Sequence, residues 1–133
     1  MTIAGTAISE SDSGYAQSIR AGKHSLIADE PTERGGTETG PAPYELVLAG
    51  LSACTAITLR MYAGRKGWEL GHIRVLSRMF KEDAGDRIER EIRIGAPLDD
   101  EKRAKLLEIA DKTPVTKSIA AGTKIATKLT QGE

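Results

Sequence analysis

One thiol, Cys54, stands in an apolar stretch that opens directly after the loop residues Gly40-Pro41-Ala42-Pro43. A cysteine reacts as its thiolate, so it needs a positive neighbour or a helix N-terminus to hold its pKa down. Cys54 sits about three turns inside the helix its surroundings predict, beyond good reach of that helix's own terminal dipole. Activation would have to come from an arginine on another element, and Arg20, Arg34 and Arg60 are available. Glu45, at the mouth of the same helix, is either a first-turn carboxylate stabilised by the dipole or a functional acid. Against any chemistry stands the plain alternative that a free cysteine packs as a small hydrophobe. Thr113 followed by Pro114 has the pattern of an N-cap with proline at the first helical position. His24 and His72 lie in extended segments with no acid or cysteine patterned around them, and read as surface residues.

These residues sit in a chain of 133 with 39% hydrophobic residues and only 4% aromatics, so the core must come from Leu, Ile, Val, Ala and Met. That length fits one domain, residues 1–133. Nineteen basic and nineteen acidic residues balance, which gives no global field toward nucleic acid. One cysteine excludes an intramolecular disulfide and a Cys-rich zinc site, and two histidines are too few for a His-based metal centre. No metal or other cofactor is expected. The first residues lack the basic and apolar regions of a secretion signal. No apolar run approaches the roughly 18–20 residues that span a bilayer. A soluble cytoplasmic protein is the expectation.

Residues 2–10 and 15–28 read as extended segments, joined at Ser11-Asp12-Ser13-Gly14 and bent near Ala21-Gly22-Lys23. Residues 29–43 form the one long loop, and unstructured loops of about 12–15 residues are often functional, so substrate access is looked for here. Gly35, Gly36 and Gly40 lack the sequence context of a phosphate cradle and read as loop flexibility ahead of a helix. From Tyr44 to about Gly64 the period is helical and the first half is apolar nearly all round, which requires a wrapped sheet or a partner subunit. Ile88, Ile92 and Ile94 alternate with charged residues as a half-buried strand; residues 72–80 alternate less cleanly, with a hairpin loop at 82–86 between them. A second helix starts at Pro97-Leu98-Asp99-Asp100 and breaks at Thr113-Pro114. A short helix continues to Ala121 with Gly122 as its C-cap, and residues 123–130 read as a closing strand. The plan is α+β, without repeats.

Several segments together resemble a known family. Asp29-Glu30-Pro31, Gly35-Gly36, Gly40-Pro41-Ala42-Pro43, Glu45-Leu46-Val47-Leu48-Ala49 and Ala53-Cys54 are similar to the OsmC/Ohr family of osmotically inducible and organic hydroperoxide resistance proteins. Downstream, Thr113-Pro114-Val115 resembles a segment that in the family usually reads Cys-Pro-Val. The resemblance implies antiparallel sheets wrapped around central helices in an intertwined homodimer, with active sites at the subunit interface. It implies that Cys54 holds the peroxidatic position, that Arg20 (with Arg34 as rival) is the activating arginine, and that a glutamate orients that arginine. Two departures follow. Thr113 stands where the resolving cysteine would be, and Glu45 comes one residue later than the acid of the peroxidase branch, about 100° further around the helix. The chain therefore resembles a divergent OsmC-like branch.

Two functions stay open at this point. One is a single-cysteine thiol peroxidase that takes a small-molecule hydroperoxide and an external thiol reductant. The other is a redox-inactive dimer whose interface pocket binds a small apolar ligand or a stress-related partner. No nucleic acid and no membrane are expected as partners.

Overall fold

The computed structural model describes residues 2–132, which group into two compact units, the first running to Ala49 and the second starting at Gly50. The first unit holds three short strands, β1 (Ala7–Glu10), β2 (Gln17–Ala21) and β3 (His24–Ala28). They form an antiparallel sheet in the order β1-β2-β3, with Ala7 opposite Ala21 and Gln17 opposite Ala28. Between β2 and β3 only Gly22 and Lys23 intervene. Gly22 has φ 60°, which suits the glycine-first, two-residue turn that matches strand twist.

The long loop after β3 is tied down rather than loose. Asp29 is buried, and its Oδ2 accepts the hydroxyls of Thr37 and Thr39, each at 2.7 Å, with their backbone N–H groups at 3.3 and 3.2 Å. Its Oδ1 takes the N–H of Glu30 at 2.7 Å. The Thr37 and Thr39 hydroxyls hold the Asp29 carboxyl well below the usual carboxylate range, although burial opposes this. The glycines read as flexible serve close approach instead. A Cβ on Gly36 would lie 2.0 Å from the Glu30 carbonyl oxygen, and one on Gly40 2.1 Å from that of Ile27.

Helix α1 (Pro43–Lys66) starts with proline in its first turn and ends at Gly67, φ 70°. Trp68 N–H bonds the Ala63 carbonyl and Gly67 N–H that of Gly64, the paired closure that a glycine just past a helix permits. Its 24 residues are long and apolar enough to cross a membrane, which corrects the expectation that no such run exists. The excess apolarity has a visible use on one side. Leu51, Thr55, Leu59 and Ala63, four residues apart, are buried in the second unit.

The second unit adds the antiparallel pair β4 (Ile73–Glu82) and β5 (Gly85–Ile94), then α2 (Asp100–Ala110) and α3 (Pro114–Ala121). Ile73 faces Ile94 and Glu82 faces Gly85, so the hairpin closes on residues 83 and 84. Leu59, Ala63, Leu70 and Leu106 form the core, ringed by Tyr62, Trp68, Ile73, Ile92, Ile94, Leu98 and Ile109. Asp99 caps α2 by accepting the Lys102 N–H at 2.8 Å, and Thr113 caps α3 by accepting that of Thr116 at 3.3 Å. The closing strand read at 123–130 is not formed. A strand needs a neighbouring ladder for its backbone groups. None is assigned to this segment, and Ile125 and Leu129 are 87% and 98% exposed.

Candidate active site

Cys54 lies on the second unit's part of α1, half-buried, three residues past the buried Leu51. The helix break at Thr113-Pro114 brings a new helix start to it. Proline at the first helical position cannot continue α2, so α3 begins afresh, and its leading N–H groups have no partner within the helix. One of these, the N–H of Val115, donates to the Cys54 sulfur, and the Thr113 hydroxyl donates beside it. The Thr58 hydroxyl, one turn along α1, lies 3.9 Å from Sγ.

Burial is the largest single influence on the thiol and pushes its pKa up. The three donors acting together outweigh it, so the Cys54 pKa is held below the ordinary thiol value. The helix start that reaches Cys54 is thus that of α3, through the Val115 N–H, and not that of α1. No charged group is among the causes of the shift.

Thr113 itself is fully buried. Its Oγ1 lies 2.7 Å from the Thr116 hydroxyl oxygen, and Thr116 Oγ1 lies 3.3 Å from the Ala110 carbonyl. Arg90, from β5, closes this cluster. Its Nη1 donates to Thr55 Oγ1 at 3.0 Å and Thr116 Oγ1 at 2.9 Å, and its Nη2 donates to the Ala110 carbonyl at 3.1 Å and Asp111 Oδ1 at 3.3 Å. The Arg90 side chain is only 14% exposed, whereas that of Asp111 is 82% exposed.

The other predicted residues are placed as follows. Arg20 is an exposed residue of β2. Arg34, in a 3-10 turn at Thr32–Arg34, reaches Glu30 at 4.0 Å. Glu45 accepts the Ala42 N–H at 2.9 Å, which is the back-bond of an N-terminal capping box. Arg34 and Glu45 line the same cavity of the first unit, about 350 Å³ in volume. Arg60 is exposed on α1, and His24 and His72 are exposed as expected. Arg90 was not singled out by the sequence analysis. A signal was available: position 90 shares the parity of Ile88, Ile92 and Ile94, so an arginine there occupies an inward-facing place.

Family and fold comparisons agree with this architecture. The chain belongs to the OsmC-like protein family, whose profile matches residues 35–128, more than half of its length. Its fold is similar to that of an OsmC-like protein from Mycoplasma pneumoniae, with TM-score 0.73 and 18% identity over 90% of this chain and 88% of the other. An organic hydroperoxide resistance protein OsmC from Legionella pneumophila aligns with TM-score 0.66 and 19% identity, over 90% of both chains. The organic hydroperoxide resistance protein OhrB of Bacillus subtilis aligns with TM-score 0.61 and 22% identity, over 87% of this chain and 90% of that one. No curated protein sequence matches the chain. The fold is therefore the mixed α+β OsmC fold.

Proposed function

We propose that the protein is a one-cysteine, thiol-dependent reductase of organic hydroperoxides, with Cys54 as nucleophile. The observation that carries this reading is the convergence of the Val115 N–H and the Thr113 hydroxyl on the Cys54 sulfur, which lowers its pKa from the ordinary thiol value against the opposing effect of burial. The organic hydroperoxide resistance proteins of the same fold support the choice of oxidant. The thiolate attacks one peroxide oxygen, the O–O bond breaks, and the alkoxide leaves as an alcohol after taking a proton from water. Cys54 becomes a sulfenic acid. With threonine at position 113, no second thiol of this chain can condense with it. An external thiol forms a mixed disulfide and releases water; a second external thiol then restores Cys54 and departs as the oxidised disulfide.

The reading carries three companions: one domain over residues 1–133, a cytoplasmic location where reducing thiols are abundant, and a homodimer. The dimer is supported by the outward side of α1, where Gly50, Ala53, Ile57 and Met61 are exposed, Ile57 by 58% and Met61 by 54%. Within that assembly Arg20 or Arg34 is proposed as the activating cation and Glu45 as its orienting acid.

The test is consumption of cumene hydroperoxide with dithiothreitol or glutathione as reductant. The parent turns over, and Cys54→Ser falls to the uncatalysed rate. Equal rates for the two proteins defeat the reading. A second reading, an apolar-ligand binder, is favoured by a cavity of about 550 Å³ lined by Leu51, Met79, Ile88 and Ile119 beside Arg90 and Thr116. It expects a Cys54 that resists thiol reagents until the protein is denatured.

A further inference from the structure

Arg90 is almost enclosed, yet among the described residues its one carboxylate partner is the exposed Asp111, and a surface pair of that kind contributes little. Its other three bonds go to neutral oxygens: the Thr55 and Thr116 hydroxyls and the Ala110 carbonyl. A guanidinium can only donate. Bonding from Arg90 therefore fixes the Thr116 oxygen as an acceptor on that side. The Thr116 hydrogen must then point to the Thr113 oxygen at 2.7 Å or the Ala110 carbonyl at 3.3 Å, and the shorter path is to Thr113. Thr113 Oγ1 also accepts the Thr116 backbone N–H at 3.3 Å. With its oxygen taking up both hydrogens, the Thr113 hydroxyl has its own hydrogen left for the sulfur.

We infer that Arg90 is a positioning residue for Cys54, acting through the Thr116 and Thr113 hydroxyls so that every hydrogen in the chain points toward the sulfur. Each donor in such a one-way chain polarises the next, and the buried setting strengthens them. The positive charge of Arg90 thereby polarises the hydroxyls that lead to the sulfur, whose own shift among the described residues comes from burial and neutral donors. The bond to Ala110 at the end of α2 and the bond to Thr116 in α3 also hold the broken helix in the geometry that delivers the Val115 N–H. This inference deepens the proposed peroxidase reading and rests on it for its catalytic meaning.

The experiment is the pH dependence of Cys54 alkylation by iodoacetamide in the full-length native protein, read by mass spectrometry. Thr116→Val removes the relay hydroxyl while leaving the Arg90 bonds to Ala110 and Asp111 in place. It is expected to raise the apparent pKa by about one unit, which is about tenfold slower labelling near neutral pH. Arg90→Met is expected to raise it at least as far, and Arg90→Lys to recover only part, because an ammonium lacks the fork that reaches Thr116 and Ala110 together. Should Arg90→Met fail to fold, Thr116→Val decides alone. An unshifted profile for Thr116→Val, or for a folded Arg90→Met, overturns the inference. Alkylation needs no peroxide, so a parent that consumes no hydroperoxide would defeat the function and still leave Arg90 to be judged by the profile.

Discussion

Returning a thiol to position 113 gives the most demanding test of the site. The Thr113 hydroxyl already donates to the Cys54 sulfur, so in Thr113→Cys a second sulfur would replace that oxygen at contact range. One equivalent of cumene hydroperoxide should convert Cys54 to a sulfenic acid, which the introduced thiol then captures, releasing water and closing a disulfide. The loop so closed has about sixty residues, for which chain entropy gives a stabilisation of about 4 kcal/mol. Against this stands the loss of the α3 N-cap, about 1 kcal/mol, because cysteine is a poor acceptor for the Thr116 N–H. In the reduced state only the loss applies, so the variant should melt about 4 °C below the parent. After oxidation the net gain of about 3 kcal/mol should place it about 10 °C above. Thiol counting, intact mass and thermal unfolding before and after peroxide read all of this. If the introduced thiol stays alkylatable while Cys54 passes on to sulfinic acid, the two groups are not in contact and the site described here is wrong.

Two further predictions concern the scaffold. Gly36→Ala and Gly40→Ala each force a Cβ to about 2 Å from a backbone carbonyl oxygen, which no side-chain adjustment relieves, so each should destabilise by about 2 kcal/mol or more in urea titrations. Gly5→Ala, which meets nothing within 4 Å, is the control and should be near neutral. The proposed dimer predicts that charge on the outward side of α1, in the double variant Ile57→Lys and Met61→Glu, shifts the parent from dimer to monomer in sedimentation; a monomeric parent refutes the dimer, and a variant that stays dimeric refutes this contact.

Much of this fold could be read locally because its signals are local. Thr113 stands as the cap where the sequence placed it, Asp99 caps within the Pro97–Asp100 stretch read as a helix start, and Gly67 and Gly122 close their helices with positive φ. The β5 alternation likewise gave the strand within two residues. What failed was whatever depended on a distant neighbour. Gly36 and Gly40 read as loose because the carbonyls they must clear, on Glu30 and Ile27, approach only once the chain turns back. Residues 123–130 carried a strand-like pattern, but pattern without a partner ladder does not make a strand. The site suffered most. In the sequence Cys54 could be set only against its own helix and a distant arginine, whereas two of the three donors to its sulfur, Val115 and Thr113, lie at the start of a helix about sixty residues on.

That displacement changes what position 113 is for. A sulfur hydrogen is a weak donor, and a thiol at the head of α3 would serve chiefly as the second member of a disulfide. A threonine hydroxyl donates well and cannot be oxidised to a disulfide. On the proposed reading, with Thr113 between Cys54 and Thr116, the residue that would end the reaction in the Cys-Pro-Val pattern instead prepares its first step, by lowering the pKa of the thiol. The two roles exclude one another at a single side chain. A chain with a hydroxyl there then gives up internal resolution and depends on a thiol from outside, so turnover on this reading requires access of that reductant to Cys54 as well as activation of the sulfur.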